Sequence, residues 1–408
     1  QLSDIWNVGW HTARLCAGET YYDCPYYEQL QYVGDTRIQA LISLYVSGDD
    51  RLMRKAIQLF DDSRFYEGLT MSRYPSSTPQ VIPTYSLFWI DMVHDYWMHR
   101  EDDAFVKSFL NGIDNIMNFF TSKIDKNTGL IGYTGYWNFV DWAIEWPWDN
   151  VLKMGGVPKG GGPDGNSSII SFQYVYSARH AAELHRWAGS ESRAEYYENV
   201  ADKMMQAIKS QCWDSSRRYF SETPEKSEFS MHAQIFAVLT DAIEKDKLKD
   251  FVLRFEKDES LIQPTMYFRF YLTQALKTAG LSDKYLETLS LWREMLENGL
   301  TTFAEKPDPT RSDCHAWSAS PNYDFLATVA GIEPAEAGFA SIKMAPALGD
   351  LNEIEGSMPH PKGTISFKLK RKGENGIEGE VILPIGLTGT FKWINNEIEL
   401  KDKTAINL

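Results

Sequence analysis

The chain has 408 residues, 43% of them hydrophobic, with a formal net charge of −15 and a pI near 5.1. That much apolar material supports one large domain or two to three ordinary ones, while the excess of acid repels polyanions and sets nucleic acid aside as a partner. No apolar run is long enough to insert as a membrane-spanning helix, and Cys16, Cys24, Cys212 and Cys314 show neither CxxC spacing nor a Cys/His cluster, so neither a zinc site nor a small disulfide scaffold is expected. The sequence opens at Gln1 without methionine and reads as a processed chain or an excised fragment. Aromatic residues make up 13%, including 13 Trp and 21 Tyr; flat rings with polar tips suit the C–H faces of sugars, and large helical cores use them equally.

In chain order, apolar residues recur at three- and four-residue intervals up to about Gly331, with short breaks at Gly, Pro or Asp. The pattern predicts helices over Asp4 to Ala17, Pro25 to Val46, Leu52 to Phe65, Tyr85 to Arg100, Phe105 to Ile124 and Ile169 to Ala188. It continues over Arg193 to Cys212, His232 to Thr240, Lys245 to Phe255, Met266 to Ala279, Tyr285 to Glu297 and Asn322 to Ala330. Some, such as YSLFWIDMVHDYW, are apolar nearly all round; neighbours such as SRAEYYENVADKMMQAIKSQ carry a charged face. A helix apolar all round is enclosed and one with a polar face lies outside. Their alternation predicts two concentric layers: a mainly α fold, an (α/α)6 barrel of about twelve helices spanning 1–332. A solenoid is the alternative, but no fixed-period repeat supports it. After Gly331, TISFKLK, GEVILP, TFKWI and EIELK alternate with period two between Gly and Asn turns, which predicts a small antiparallel β-sandwich over 333–408.

Three stretches carry candidate chemistry. In YYDCPYYEQLQYVGDTR, Pro25 suits a first helical position, which puts Asp23 at the mouth of the predicted helix. At about 100° per residue, Glu28, Gln31, Tyr32 and Asp35 then share one face. Capping, or an ion pair of Asp35 with Arg37 or another base, would explain one acid. Three on an enclosed helix suggest a pocket, because an unpartnered buried carboxylate costs several kcal/mol. The long loop TTFAEKPDPTRSDCHAWSASPNYDF holds Glu305, Asp313, His315 and Trp317, the kind of segment where sites collect; the alternative is that Asp313 fixes a turn and His315 satisfies a backbone group. In WNFVDWAIEWPWDN, tryptophans interleave with Asp141, Glu145 and Asp149, an arrangement that suits a stacked ring with bonded hydroxyls or ordinary helix-end packing. The following GGVPKGGGPDGNSS lacks the Gly-Lys-Ser/Thr ending of a phosphate loop and reads as a flexible lid or connector.

The segment DCPYYEQLQYVGDTR resembles the Asp-Cys-Pro-x-Arg-x-x-x-Gly-Trp-x-Gly-Asp signature of the bacterial α-L-rhamnosidase family, inverting glycoside hydrolases. NFVDWA is similar to that family's Gly-Asp-Trp segment, TTFAE to its Thr-Thr-x-Trp-Glu segment, and GIEPAEAGFASIKMAPAL to the entry of its C-terminal β domain. The resemblance implies a six-fold helical-pair barrel, with Glu28 as general acid, Glu305 as general base, Asp23 and Asp35 on sugar hydroxyls, and Trp142 stacked on the ring. Tyr32, Asp141, His315 and Trp317 complete the candidate substrate-binding set. No cofactor or metal is implied; the partner is a carbohydrate, with rhamnose the default sugar. Upstream β domains usual in the family are absent from this sequence, and an extracytoplasmic location, periplasmic or extracellular, is expected. Flanking Asp23 and Asp35 are expected to raise the pKa of Glu28, as an acid requires. Departures from the signature fall at Tyr27, Gln31, Tyr32 and Ala304, with Tyr85 or Trp89 as substitutes for a further Trp, and they leave the sugar and linkage open. The alternatives are another helical-barrel carbohydrate-active enzyme (an unsaturated glucuronyl hydrolase, a trehalase-like hydrolase or a lyase) and a glycan-binding homologue without turnover.

Overall fold

The computed structural model describes residues 1–408. Thirteen α-helices are α1 Leu2–Leu15, α2 Val33–Val46, α3 Arg51–Asp62, α4 Pro83–His99, α5 Asp103–Ser108, α6 Leu110–Ser122, α7 Ser168–Trp187, α8 Glu191–Cys212, α9 Met231–Leu239, α10 Lys245–Phe255, α11 Met266–Thr278, α12 Ser290–Glu297 and α13 Pro321–Asp324. A π-helical turn, Phe325–Val329, continues α13.

Burial sorts them into two layers. Helices α2, α4, α7, α9, α11 and α13 are enclosed on most sides. Helices α1, α3, α6, α8, α10 and α12 bury one stripe; in α3 it is Met53, Ala56, Ile57 and Phe60, at the spacing that faces one side of a helix. The inner helices pack α2 on α4, α4 on α7, α7 on α9 and α9 on α11. From α11 the ring passes through a 3-10 turn, Ala316–Ala319, and α13 back to α2. This closed six-hairpin barrel is the two-layer arrangement expected from the alternating helix types. The expected helix Phe105 to Ile124 is broken at Phe109, and the first half of Tyr285 to Glu297 is a 3-10 helix.

The predicted helix start at Pro25 is wrong. Helix α2 begins at Val33, and residues 23–31 form a turn. Asp23 closes it by donating its N–H to the Leu30 carbonyl at 2.8 Å and accepting the Leu30 N–H on its carboxylate at 2.9 Å. Gln29, at φ +54°, interrupts any helical path. Glu28 and Asp35 therefore do not share a helix face, and tertiary contacts bring them together instead.

A two-stranded hairpin, Trp213–Asp214 with Tyr219–Phe220, lies within the helical part, and the remaining strands begin at Ile332. Two four-stranded sheets hold Glu353–His360, Gly363–Lys372, Gly376–Ile382 and Lys403–Asn407 in one, and Ile332–Pro334, Ser341–Met344, Thr388–Trp393 and Asn396–Lys401 in the other. All pairings are antiparallel except Ser341–Met344 beside Thr388–Trp393, which run parallel, a departure from the all-antiparallel expectation. Alternate residues Ile365, Phe367 and Leu369 face inward and join the same apolar core as the helices. The glycine-rich segment after Trp148 is a packed connector rather than a flexible lid: Gly155, Gly156 and Gly160 to Gly162 are buried, and Asn138 Nδ2 donates to the Gly161 carbonyl at 2.7 Å.

Candidate active site

At one end of the barrel a pocket with a cavity volume of about 60 Å³ is lined by Asp23, Glu28, Tyr32, Asp35, Tyr85, Trp137, Phe139, Trp142, Glu305, Arg311, His315 and Trp317, among others. Three stretches distant in the chain converge here: the turn before α2, the segment around Trp142, and the loop between α12 and α13. The pocket opens into a groove of about 920 Å³ that shares Glu28, Tyr32, Trp142, Glu305 and Arg311 and continues past Trp146 and Trp148.

The floor is built by α2. Gly34 lies so close to Tyr85 and Tyr267 that a Cβ would sit 2.5 Å from the Tyr267 hydroxyl, so the first turn of α2 reaches the rings only because residue 34 has no side chain. The next residue, Asp35, is buried and accepts a bond from His315 Nε2 at 3.0 Å. Of the bases that could pair with Asp35, the structure supplies His315 and not Arg37. Arg37 points the other way, to Asp95 at 2.7 Å and Asp91 at 3.5 Å, in a buried cluster under the pocket.

The loop from Thr301 to Ser320 is pinned at both ends. The Phe303 N–H donates to Thr12 Oγ1 at 3.0 Å, the His315 N–H to the Phe303 carbonyl at 2.8 Å, and the Ala316 N–H to the Asp23 carbonyl at 3.1 Å. Trp317 stacks on Tyr267 with centroids 4.6 Å apart and donates its indole N–H to the Glu305 carbonyl at 2.7 Å, fixing the backbone that presents the Glu305 side chain. Ala304, where the family has Trp, is buried, and its carbonyl accepts from Ser318 Oγ.

Burial raises the pKa of Asp23, Asp35 and Glu305 and lowers that of His315. For Glu305 the positive field of His315 and Arg311 opposes that rise, while Asp35 and Glu28 add to it. Glu28 is in a different setting from the one expected. It is 24% exposed, and Arg311 Nη2 meets its Oε1 at 2.7 Å, so a cation faces the carboxylate that was anticipated to sit among acids alone. Arg311, which sequence reasoning missed, also lies 5.9 Å from the centre of the Tyr27 ring, the position where the family signature has Arg. Its only signal was being one of two basic residues in the loop bearing Glu305 and His315.

Asp141 is not a pocket wall. Fully buried, it accepts bonds from the Trp142 N–H, the Thr265 N–H and His232 Nε2, each at 2.8 Å, and from the Thr265 hydroxyl. With both oxygens occupied it ties the Trp142 segment to α9 and to the start of α11, a positioning role rather than the expected contact with sugar. Trp142 itself does face the pocket, 5.0 Å from the Phe139 ring. Tyr32, the residue preceding α2, lines the wall with its hydroxyl held by Arg73 Nη1 at 2.8 Å. Of the two substitutes for the missing Trp, Tyr85 lines the pocket, whereas Trp89 is buried elsewhere with its indole N–H on the Ile57 carbonyl. Glu145 belongs to the outer groove, and Asp149 caps the backbone N–H groups of Val151 and Leu152.

Residues 1–329 match the family described as the bacterial alpha-L-rhamnosidase 6 hairpin glycosidase domain. The chain belongs to that family. Among solved structures it is similar to a GH78 family rhamnosidase of Bacillus sp. GL1, with 25% identity and a TM-score of 0.85 over 96% of this chain and 41% of that one. It is also similar to a rhamnosidase from Klebsiella oxytoca with rhamnose bound, at 22% identity and a TM-score of 0.70 over 79% of this chain and 63% of that one. A third is the Streptomyces avermitilis α-L-rhamnosidase complexed with L-rhamnose, at 17% identity and a TM-score of 0.75 over 96% and 37%. The rhamnosidase-family chain thus spans less than two thirds of the length of these proteins. No curated protein sequence matches it.

Proposed function

We propose that the chain carries the catalytic centre of an inverting exo-glycosidase that removes terminal α-L-rhamnosyl residues from glycans or glycosides. One observation carries the reading: Glu28 and Glu305, 277 positions apart by their numbers, line one small pocket walled by aromatic rings, with buried carboxylates at Asp23 and Asp35. A small recess suits a single terminal sugar, and the wider groove suits whatever the sugar is attached to. The Klebsiella oxytoca and Streptomyces avermitilis relatives, both with rhamnose bound, point to the same sugar.

In this reading Glu28 protonates the departing glycosidic oxygen and Glu305 takes a proton from the water attacking the opposite face, which calls for carboxyl groups roughly 6.5–9.5 Å apart. Burial raises the pKa of Glu305, the direction that makes a carboxylate a stronger base, while His315 and Arg311 oppose the rise. Glu28 sits at the junction with the groove, where a leaving group would lie, and substrate must displace Arg311 from its carboxylate. Asp23 and Asp35 accept from sugar hydroxyls, and Trp142 stacks on a C–H face.

The test separates the two roles. Glu28→Gln and Glu305→Gln should each lower turnover of an alkyl rhamnoside by about 10² or more, the usual range for acid–base groups. An aryl rhamnoside with a strongly acidic phenol needs no protonation, so Glu28→Gln should regain most of its activity on that substrate and Glu305→Gln should not. Proton NMR of the first product should show the inverted anomer. Parental activity in either variant removes that residue from the mechanism, and rescue of Glu305→Gln instead would exchange the roles.

A further inference from the structure

Cys16 and Cys314 lie 298 positions apart in sequence with their sulfur atoms 4.0 Å apart. Their settings differ. Cys16 ends α1, is fully buried, and has its carbonyl held by the Tyr22 N–H at 2.8 Å and by Gln39 Nε2 at 3.2 Å. Cys314 is half-buried on the loop that carries Glu305, Arg311 and His315, and its backbone bonds reach only Ser312 in the same loop. One thiol is anchored in the barrel, and the other rides on the segment that positions the reacting groups.

We propose that Cys16 and Cys314 form a reversible disulfide that draws the loop towards α1 and lowers turnover. A bonded pair requires sulfur atoms about 2 Å apart, so closure takes up roughly 2 Å, shared between side-chain rotation and a shift of the Cys314 segment against the His315–Phe303 and Ala316–Asp23 backbone bonds that hold it. The adjacent His315 bond to Asp35 at 3.0 Å and the Arg311 pair with Glu28 at 2.7 Å are both short enough to be lost in such a shift. The chemistry balances with a disulfide oxidant such as oxidised glutathione. The Cys314 thiolate attacks one glutathione sulfur and releases the first reduced glutathione. Cys16, losing its proton, then attacks the mixed disulfide at Cys314 and releases the second. Two protein thiols are oxidised and one glutathione disulfide is reduced.

The activity part of this inference rests on the function proposed above, so the test also reads the cross-link itself. The chain is incubated with oxidised glutathione, remaining thiols are alkylated, and peptides are mapped without reduction. A Cys16–Cys314 peptide pair lacking two hydrogens is expected, with turnover of an aryl rhamnoside reduced by up to about a hundredfold, as a displacement of around 1 Å in a catalytic group can produce. Dithiothreitol should restore the rate. The oxidised form should melt higher by roughly 4 °C, because the bridge restricts the unfolded chain. Cys314→Ser, at the half-exposed position, and Cys16→Ala should each lack the link and the response. Free alkylation of both thiols after oxidation, a link to Cys24 instead, or the expected link with turnover unchanged would each overturn the proposal. A reduced chain inactive on every rhamnoside would count against the function, while the peptide map and melting temperature would still decide the bridge.

Discussion

Replacing Asp141 by Asn removes one charge and exchanges one oxygen for an NH2 at a site where every contact is a donor. Two donors meet Oδ1, the Trp142 N–H and the Thr265 hydroxyl, and two meet Oδ2, the Thr265 N–H and His232 Nε2. Whichever way the amide turns, its NH2 faces a backbone N–H that cannot be reversed. His232 can adapt, since its Nδ1 has no partner and the ring can exchange tautomers. One buried backbone donor is then left unsatisfied, at about 1–3 kcal/mol, and a charge-assisted bond is lost, at a further 1–2 kcal/mol or so. We expect Asp141→Asn to be less stable by about 3 kcal/mol, read as a lower urea midpoint at unchanged slope. Turnover should fall as well, because the Trp142 segment loses its tether, while affinity for free L-rhamnose should change less than stability does. A variant as stable as the parent with rhamnose affinity reduced tenfold or more would show that Asp141 holds the sugar, and would refute the positioning role.

Other outcomes follow from the buried charges. Arg37→Met leaves Asp91 and Asp95 facing each other without their guanidinium, and unfolding should become easier by about 3–5 kcal/mol; adding Asp95→Asn should recover part of the loss in a double-mutant cycle. Burial pushes Glu222 up to about 8, with its Oε1 unpartnered, so the folded state favours its protonated form. That contribution is complete below the ordinary value of 4.5 and disappears as pH rises through about 8. Glu222→Gln should therefore gain on the parent by about 4 kcal/mol between pH 5 and pH 9, measured as the difference in urea midpoints. Equal pH slopes in the two proteins would contradict it.

Periodicity along the chain determined the architecture, because whether a helix is enclosed or surface-facing depends on which of its own positions are apolar. YSLFWIDMVHDYW and SRAEYYENVADKMMQAIKSQ could be assigned to inner and outer layers without coordinates, and TISFKLK to a strand facing the core. The acid-bearing segments could also be picked out, since carboxylates among apolar and aromatic neighbours are costly wherever they fold. The geometry of the site was not legible in the same way. Pro25 is a sound helix start locally, yet the Asp23–Leu30 bonds and the positive φ of Gln29 made a turn there. Asp141 and Asp35 look alike in sequence, but the donors that saturate Asp141 come from α9 and the start of α11, while Asp35 meets a histidine from the loop after α12. Arg311 met Glu28 only when that loop closed over the pocket. Local spacing reports a residue's near neighbours along the chain; the partner that satisfies a buried charge comes from wherever the barrel brings a second segment, and only the tertiary structure decided that.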